Sequence, residues 1–356
     1  MSTAAPRLLS LATAVPDQIL HQAEVAGAAR AVFEDELAHF QHLLPVYANT
    51  GIETRHACLP LQWYQAPHDF DERNKLNIRH AVQLLERVAA EALESAGLDV
   101  AEIDLIVTVS STGIATPTLD ALLLERLSFR RDVQRLPIFG LGCAGGALGL
   151  GRAAAMARSA PASKVLLLVV ELCSLTFRSH DATKSNVVAT ALFGDGAAAA
   201  VVGCAGDGPR LTAWGEHTWP GTLDVMGWQV DNDGLAVVFS RDIPDIVRRD
   251  FGPALACFLN SQGLSLADVD TFVPHPGGIK VLDALEAVFE LPPGGLEMAR
   301  QVLRRYGNMS SASVLFVLRQ TLQQCGPAGR SLGRTLISSL GPGFTAGFAL
   351  LEDCGI

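Results

Sequence analysis

Two stretches of this chain repeat one another. Residues 97–113 read GLDVAEIDLIVTVSSTG and residues 263–278 read GLSLADVDTFVPHPGG. Each opens on a Gly-Leu pair, carries an Ala-acid-aliphatic-Asp core and runs into a short apolar strand. Each also follows a helical apolar pattern, His80–Ala96 in one case and Ile243–Gln262 in the other. The correspondence continues downstream. Residues 120–127 and 281–289 read as amphipathic helices, each leading to a short strand or turn and then to a glycine-containing helix start. Residues 164–171 (KVLLLVVE) and 334–340 (RTLISSL) read as strands buried on both faces, and 195–203 pairs with 345–353. The order helix, strand, helix, strand, helix, strand, strand therefore occurs twice, which predicts an α/β fold of two related halves. The boundary falls near Gly206–Pro209, giving halves of 1–207 and 208–356. The first half carries an extra segment, 173–192, between its last two strands, and segments added to a repeated scaffold are where function concentrates.

Composition bounds the function classes. Apolar residues make up 49% and charged residues 18%, enough for an extensive core and too apolar for a disordered chain. The net charge of -10 argues against a nucleic-acid or anionic-membrane binder, while leaving room for a local basic pocket. Seven scattered cysteines without a CxxC pair predict a reduced, cytoplasmic protein with neither disulfides nor a zinc site. The nine histidines show no metal-ligand spacing. No apolar stretch approaches the ~20 residues of a membrane helix, and Arg7–Val15 reads as a first strand rather than a leader.

Laying one repeat on the other sets Cys143 against the position beside Asn308, and His275 against the end of the 109–111 strand. A pseudo-twofold packing would bring these turns to one central place. Cys143 sits in GLGCAGGALGLG, after a strand and at a helix start, where the helix dipole and free N–H groups favour a thiolate. A buried structural thiol is the alternative. His275, held between two prolines in VPHPGG, is a candidate acid/base. Asn308, in YGNMSSASV, reads either as a helix cap or as an amide donor to a thioester oxygen. Gly140, Gly142 and Gly145 also form a GxGxxG with Glu171 ending the next strand, which imitates a dinucleotide site in an oxidoreductase.

Together GCAGG at Cys143, ELCSLTF at 171–177, ALFGDGAAA at 191–199, HPGG at 275–278, YGNMSSASV at 306–314 and GPGF at 341–344 resemble the type III polyketide synthases, chalcone synthase-like enzymes. The resemblance spans about Arg7 to Leu351 and points to the bacterial alkylpyrone and alkylresorcinol synthases. It implies a thiolase-like fold of two α/β/α halves in five layers, and a homodimer. It implies that Cys143 holds an acyl starter taken from acyl-CoA, and that His275 and Asn308 bind malonyl-CoA for decarboxylation, with repeated condensation and cyclisation. Phe193 matches a gatekeeper between the CoA tunnel and the cavity; Ser111, Thr116, Thr176 and Ser310 match positions at that cavity, and Gly341 and Pro342 match a loop shaping its wall. A second gatekeeper aligns with the smaller Val237, and Thr116 also replaces a larger residue, which favours a fatty acyl starter. Arg55 and Lys280 are the candidates to grip CoA phosphates. No metal or redox cofactor is implied. A single-round ketoacyl-acyl carrier protein synthase and a non-catalytic acyl-CoA-binding protein of the same fold are the alternatives.

Overall fold

The computed structural model describes residues 5–33, 42–181, 183–325 and 331–353. The first half contains β1 (Arg7–Ala14), β2 (Gln18–His21), α1 (Gln22–Phe33), α2 (Pro45–Asn49), β3 (Thr54–Ala57), α3 (Phe70–Ala96), β4 (Leu105–Val109), α4 (Leu119–Leu123), β5 (Gln134–Ile138), α5 (Gly145–Ser159), β6 (Lys164–Leu172), α6 (Lys184–Leu192) and β7 (Asp195–Gly203). The second contains β8 (Arg210–Thr218), β9 (Met226–Asp231), β10 (Gly234–Phe239), α7 (Ile243–Ile246), α8 (Gly252–Ser261), β11 (Thr271–Pro274), α9 (Ile279–Val288), α10 (Glu297–Tyr306), α11 (Ser313–Cys325), β12 (Arg334–Gly341) and β13 (Thr345–Glu352). The expected helix over Ile243–Gln262 is present as α7 and α8, joined through a π-helical turn at Val247–Phe251.

The repeat is visible in the strand order. The sheet runs β11-β12-β13-β8-β1-β7-β6-β4-β5. Reading from either side, a parallel pair (β4 with β6, β11 with β12) is followed by two antiparallel neighbours (β7 then β1, β13 then β8). The halves join where Arg7 of β1 pairs with Arg210 of β8. The correspondence fails at one place. The short strand expected before Asn308 is absent, because the amphipathic run EMARQVLRRY forms α10, and Gly307, at φ 67°, turns the chain directly into Asn308. What remains of the strand is a single parallel bridge between Asn308 and Phe193.

Packing follows the two-residue period of the strands. Leu166, Leu168 and Val170 of β6, with Ala197, Ala199 and Val201 of β7, face α3, whose Leu85, Val88 and Ala92 are buried against them. The alternate residues Val165, Leu167 and Val169, with Ala198, Ala200 and Val202, join the second cluster, which contains Leu150 of α5 and Leu315 of α11. On the far side of the second-half strands, Phe258 stacks on Phe348 of β13 and Phe251 packs against it at a tilt. The layers are thus helix, sheet, helix, sheet, helix: the thiolase-like arrangement. Helix α3 starts where the Asp69 carboxylate accepts the Glu72 amide at 2.8 Å and stops at Gly97, φ 64°. Among the described residues no helix is long and apolar enough to cross a membrane.

Candidate active site

Cys143 lies in the turn from β5 into α5, and small residues make that turn possible. Gly142 adopts φ 46°, and a Cβ there would meet the Pro342 ring at 2.6 Å. The Ser111 hydroxyl accepts the amides of Gly140 and Gly142 at 3.2 and 3.1 Å. Added Cβ atoms at Gly145 and Gly146 would strike Val109 and the Ser311 carbonyl at 2.6 and 2.2 Å. Glu171 is fully buried; it accepts the Ser111 amide at 2.9 Å and the Ser311 hydroxyl at 2.6 Å. Gly142, Gly145 and Glu171 therefore pack one half on the other, Gly140 is tied to Ser111 within the first half, and the dinucleotide reading is set aside.

Asn308 and Ser310 meet the thiol from the second half. Cys143 Sγ lies 4.0 Å from Asn308 Oδ1 and 3.6 Å from Ser310 Oγ. The same Oδ1 accepts the Ser310 amide at 2.8 Å, but the cap position of the short 3-10 turn before α11 is Met309, so Asn308 stands one residue ahead of the cap the sequence suggested. Asn308 Nδ2 donates to the Gly277 carbonyl at 3.2 Å, which ties the carboxamide to the HPGG turn and leaves its second hydrogen free. His275 directly follows β11, where its amide donates to the Ser338 carbonyl at 2.7 Å. Its ring is 5% exposed, and neither ring nitrogen has a partner among the described residues. Cys143, His275 and Asn308 line one cavity of about 650 Å³. Three exposed cations, Lys184, Arg241 and Lys280, line the same cavity.

Burial dominates the electrostatics. It pushes the Cys143 thiol up to about 12, with the Glu171 charge adding to the rise and hydrogen bonds from Ser310 and Asn308 opposing it. The expectation that the helix start alone lowers this thiol is thereby corrected: desolvation of the anion outweighs it. His275 is held down to about 3 by burial. Each group taken singly is neutral. Glu171 is raised to about 7 by burial, against the hydrogen bonds that favour its ionised form.

The remaining predicted residues divide. Phe193, Thr176 and Val237 line a second, apolar cavity of about 90 Å³, together with Leu20, Val25 and Leu61. Lys280 lines the large cavity. Arg55 borders the apolar cavity and not the large one. It is 3% exposed, with its guanidinium bound to the Thr190, Ala191 and Phe193 carbonyls, so its assignment to CoA is corrected. Ser111 lines neither cavity, because its hydroxyl is spent on the Cys143 turn. Gly341 and Pro342 likewise buttress that turn: a Cβ on Gly341 would meet the Leu141 carbonyl at 2.4 Å. Thr116 is exposed and lines neither cavity.

The small Val237 does not leave Phe193 without an aromatic neighbour. Phe239, two residues on and therefore on the same face of β10, has its ring centroid 5.5 Å from that of Phe193. Phe193 lines the apolar cavity and Phe239 the one holding Cys143, so the pair stands between the two. The two-residue spacing from Val237 was the available signal for Phe239; no motif marks Lys184 or Arg241.

Comparison with known proteins places this geometry. The pattern of chalcone and stilbene synthases, N-terminal domain, matches residues 2–206, and that of the C-terminal domain matches 211–354. A 1,3,6,8-tetrahydroxynaphthalene synthase of Streptomyces peucetius subsp. caesius is 43% identical over 313 residues, covering 86% of this chain and 82% of the relative. The alpha-pyrone synthesis polyketide synthase-like Pks18 of Mycobacterium tuberculosis is 29% identical, over 94% of this chain and 88% of its own. The crystal structure of 1,3,6,8-tetrahydroxynaphthalene synthase from Streptomyces coelicolor A3(2), a bacterial type III polyketide synthase, superposes with a TM-score of 0.92 at 31% identity, covering 97% of this chain and 99% of that one.

Proposed function

Since the chain belongs to the chalcone and stilbene synthase family, the type III polyketide synthases, we propose that it extends a fatty acyl-CoA with malonyl-CoA units and releases an alkylpyrone or alkylresorcinol. The observation that carries this reading is the single cavity shared by Cys143, His275 and Asn308, with Cys143 Sγ 4.0 Å from the Asn308 carboxamide. The Cys143 proton passes to His275, and the pairing of thiolate with imidazolium in a low-dielectric cavity offsets the cost of charging each. The thiolate attacks the starter thioester carbonyl, CoA leaves as its thiol, and the acyl group remains on sulfur. Malonyl-CoA then enters with its thioester oxygen toward His275 and the free hydrogen of Asn308 Nδ2. Breaking the bond to the carboxylate releases CO2 and leaves its electron pair as an enolate, which these donors stabilise. The enolate carbon attacks the acyl carbonyl on Cys143 and expels the thiolate; transfer of the lengthened chain back to sulfur begins another round. Lys184, Arg241 and Lys280 pair with the CoA phosphates at the cavity mouth.

The starter preference rests on the apolar character of the space beyond Phe193, walled by Leu20, Val25, Leu61 and Val237, which at about 90 Å³ takes a short aliphatic segment and must widen for a longer one. The two halves, 1–207 and 208–356, act as one catalytic unit, and a cytoplasmic homodimer is part of the proposal. A second reading, a malonyl starter and a tetrahydroxynaphthalene product, is favoured by the 43% identical relative of that name. Incubating the protein with malonyl-CoA, alone and with acyl-CoAs from hexanoyl to stearoyl, separates the two. Pyrones or resorcinols carrying the starter's alkyl chain, read by mass spectrometry with CO2 release, are expected; product from malonyl-CoA alone selects the second reading, and no CO2 under any condition overturns both.

A further inference from the structure

Arg55 is a buried charge with an unusual set of partners. It stands on β3, and no carboxylate is among its hydrogen-bond partners in the described residues. Nη1 donates to the Thr190 and Phe193 carbonyls at 2.6 and 2.9 Å, and Nη2 donates to the Ala191 carbonyl at 2.9 Å and to Gln22 Oε1. Thr190 and Ala191 are the last turn of α6, where carbonyls lack intrahelical donors and the helix dipole favours a cation. Gln22 holds the guanidinium in place while its own Nε2 donates to the Ala191 and Tyr47 carbonyls at 2.9 and 3.0 Å.

The other side of the same turn belongs to the reaction centre. The Leu192 carbonyl accepts the Asn308 amide at 2.9 Å, and the Asn308 carbonyl accepts the Gly194 amide at 3.0 Å. The Arg55 stem fits between the glycines on either side of this bridge: Cβ atoms added to Gly194 and Gly307 would lie 3.3 and 3.6 Å from Arg55 Cβ. One guanidinium thus fixes the backbone that carries Phe193, and through it the backbone that carries Asn308. Only a planar fork reaches three carbonyls and an amide at once; an ammonium does not.

We infer that Arg55 is a positioning residue for both the carboxamide of Asn308 and the ring of Phe193, so that a single buried cation couples the rate of decarboxylation to the length of the product. Arg55 borders the apolar cavity, but its guanidinium is spent on backbone carbonyls and Gln22 and it meets none of the reacting atoms. The inference rests on the condensing-enzyme reading, and wild-type protein in the same assay tests that reading separately: absence of CO2 release there sinks the reading, whereas the comparison of variants bears on Arg55 alone. In folded Arg55→Lys, kcat for malonyl-CoA decarboxylation should fall about tenfold with KM within about twofold, because the CoA grip lies elsewhere, and the product distribution should shift in chain length. Arg300→Lys serves as the control. Its guanidinium pairs with Glu286 and Asp283, away from the cavity, and the change should lower the melting temperature while leaving kcat and the product pattern as in wild type. A kcat loss in Arg55→Lys no greater than its unfolded fraction, or an unchanged product distribution, overturns the inference. Should Arg55→Lys not fold, Gln22→Glu, which keeps an acceptor for the guanidinium, and Gln22→Leu, which removes it together with the bonds to Tyr47, Thr50 and Ala191, are compared: Gln22→Leu should give a two- to threefold kcat loss with the same product shift and Gln22→Glu a smaller one, and wild-type behaviour in Gln22→Leu overturns the inference equally.

Discussion

The turns that carry Cys143 and Asn308 occupy matching places, each between the members of a parallel strand pair, yet they are built by opposite means. The Cys143 turn leaves a strand, enters a glycine-rich helix, and is closed by Ser111, Pro342 and the buried Glu171. The Asn308 turn leaves a helix, has no strand of its own, and is tied across to the segment at Phe193. The surroundings differ as well: burial raises the thiol on one side with the charge of a buried carboxyl adding to it, whereas desolvation alone acts on His275 on the other. The repeat brings the turns together, and the departures from the repeat give one turn a thiol and the other a carboxamide, the proposed nucleophile and donor.

That division of labour can be broken. Cys143→Ala should abolish chain extension, with product below about a thousandth of wild type by mass spectrometry, while malonyl-CoA decarboxylation continues on His275 and Asn308. Extension surviving the change would mean that the first half does not supply the nucleophile. His275→Gln should reduce CO2 release by about 10²- to 10³-fold. It should also slow iodoacetamide alkylation of Cys143 at pH 7 by about tenfold and move its pH profile to the alkaline side, since a thiol that burial pushes up to about 12 then has no base to receive its proton. An unchanged alkylation profile would detach the imidazole from the thiol.

The smallest effect sharpens the electrostatic contrast. Glu171 is raised to about 7 in the fold, above the ordinary carboxylate range, so the unfolded chain releases this proton first. Its contribution to stability is therefore complete at acid pH and is lost as pH rises through about 7. In Glu171→Gln the fall in melting temperature between pH 5 and pH 8 should shrink by about 2–4 °C. An identical slope in the variant would mean that this carboxyl does not titrate in that window.

Much of this architecture was legible in the chain itself. The paired GLxxAxxD segments foretold the twofold strand order, because a strand buried on both faces and the helix before it leave a strong apolar signature. Cys143, His275 and Asn308 were legible because glycine and proline punctuation marks sharp turns at strand ends. Arg55 misled: an arginine reads as an exposed charge, and nothing local reveals that the end of α6, some 135 positions away, offers it three carbonyls. Ser111 was read as a cavity wall when its hydroxyl is engaged by Gly140 and Gly142, a contact made only by tertiary packing. Lys184 and Arg241 stayed silent because a charge at a pocket mouth has no periodicity to distinguish it from any solvated side chain.

The glycine face of α5 has a consequence for how such a catalyst can change over time. With Gly145, Gly146 and Gly149 wedged against Val109, Ser311, Val314 and Leu167, no larger residue can enter there without displacing the turn that carries Cys143. Heritable novelty must instead enter through β9 and β10, a two-stranded ribbon apart from the main sheet, whose Trp228 and Val237 face the apolar cavity and whose Phe239 meets Phe193. A library that randomises those three positions and leaves α5 untouched is where new chemistries should be sought.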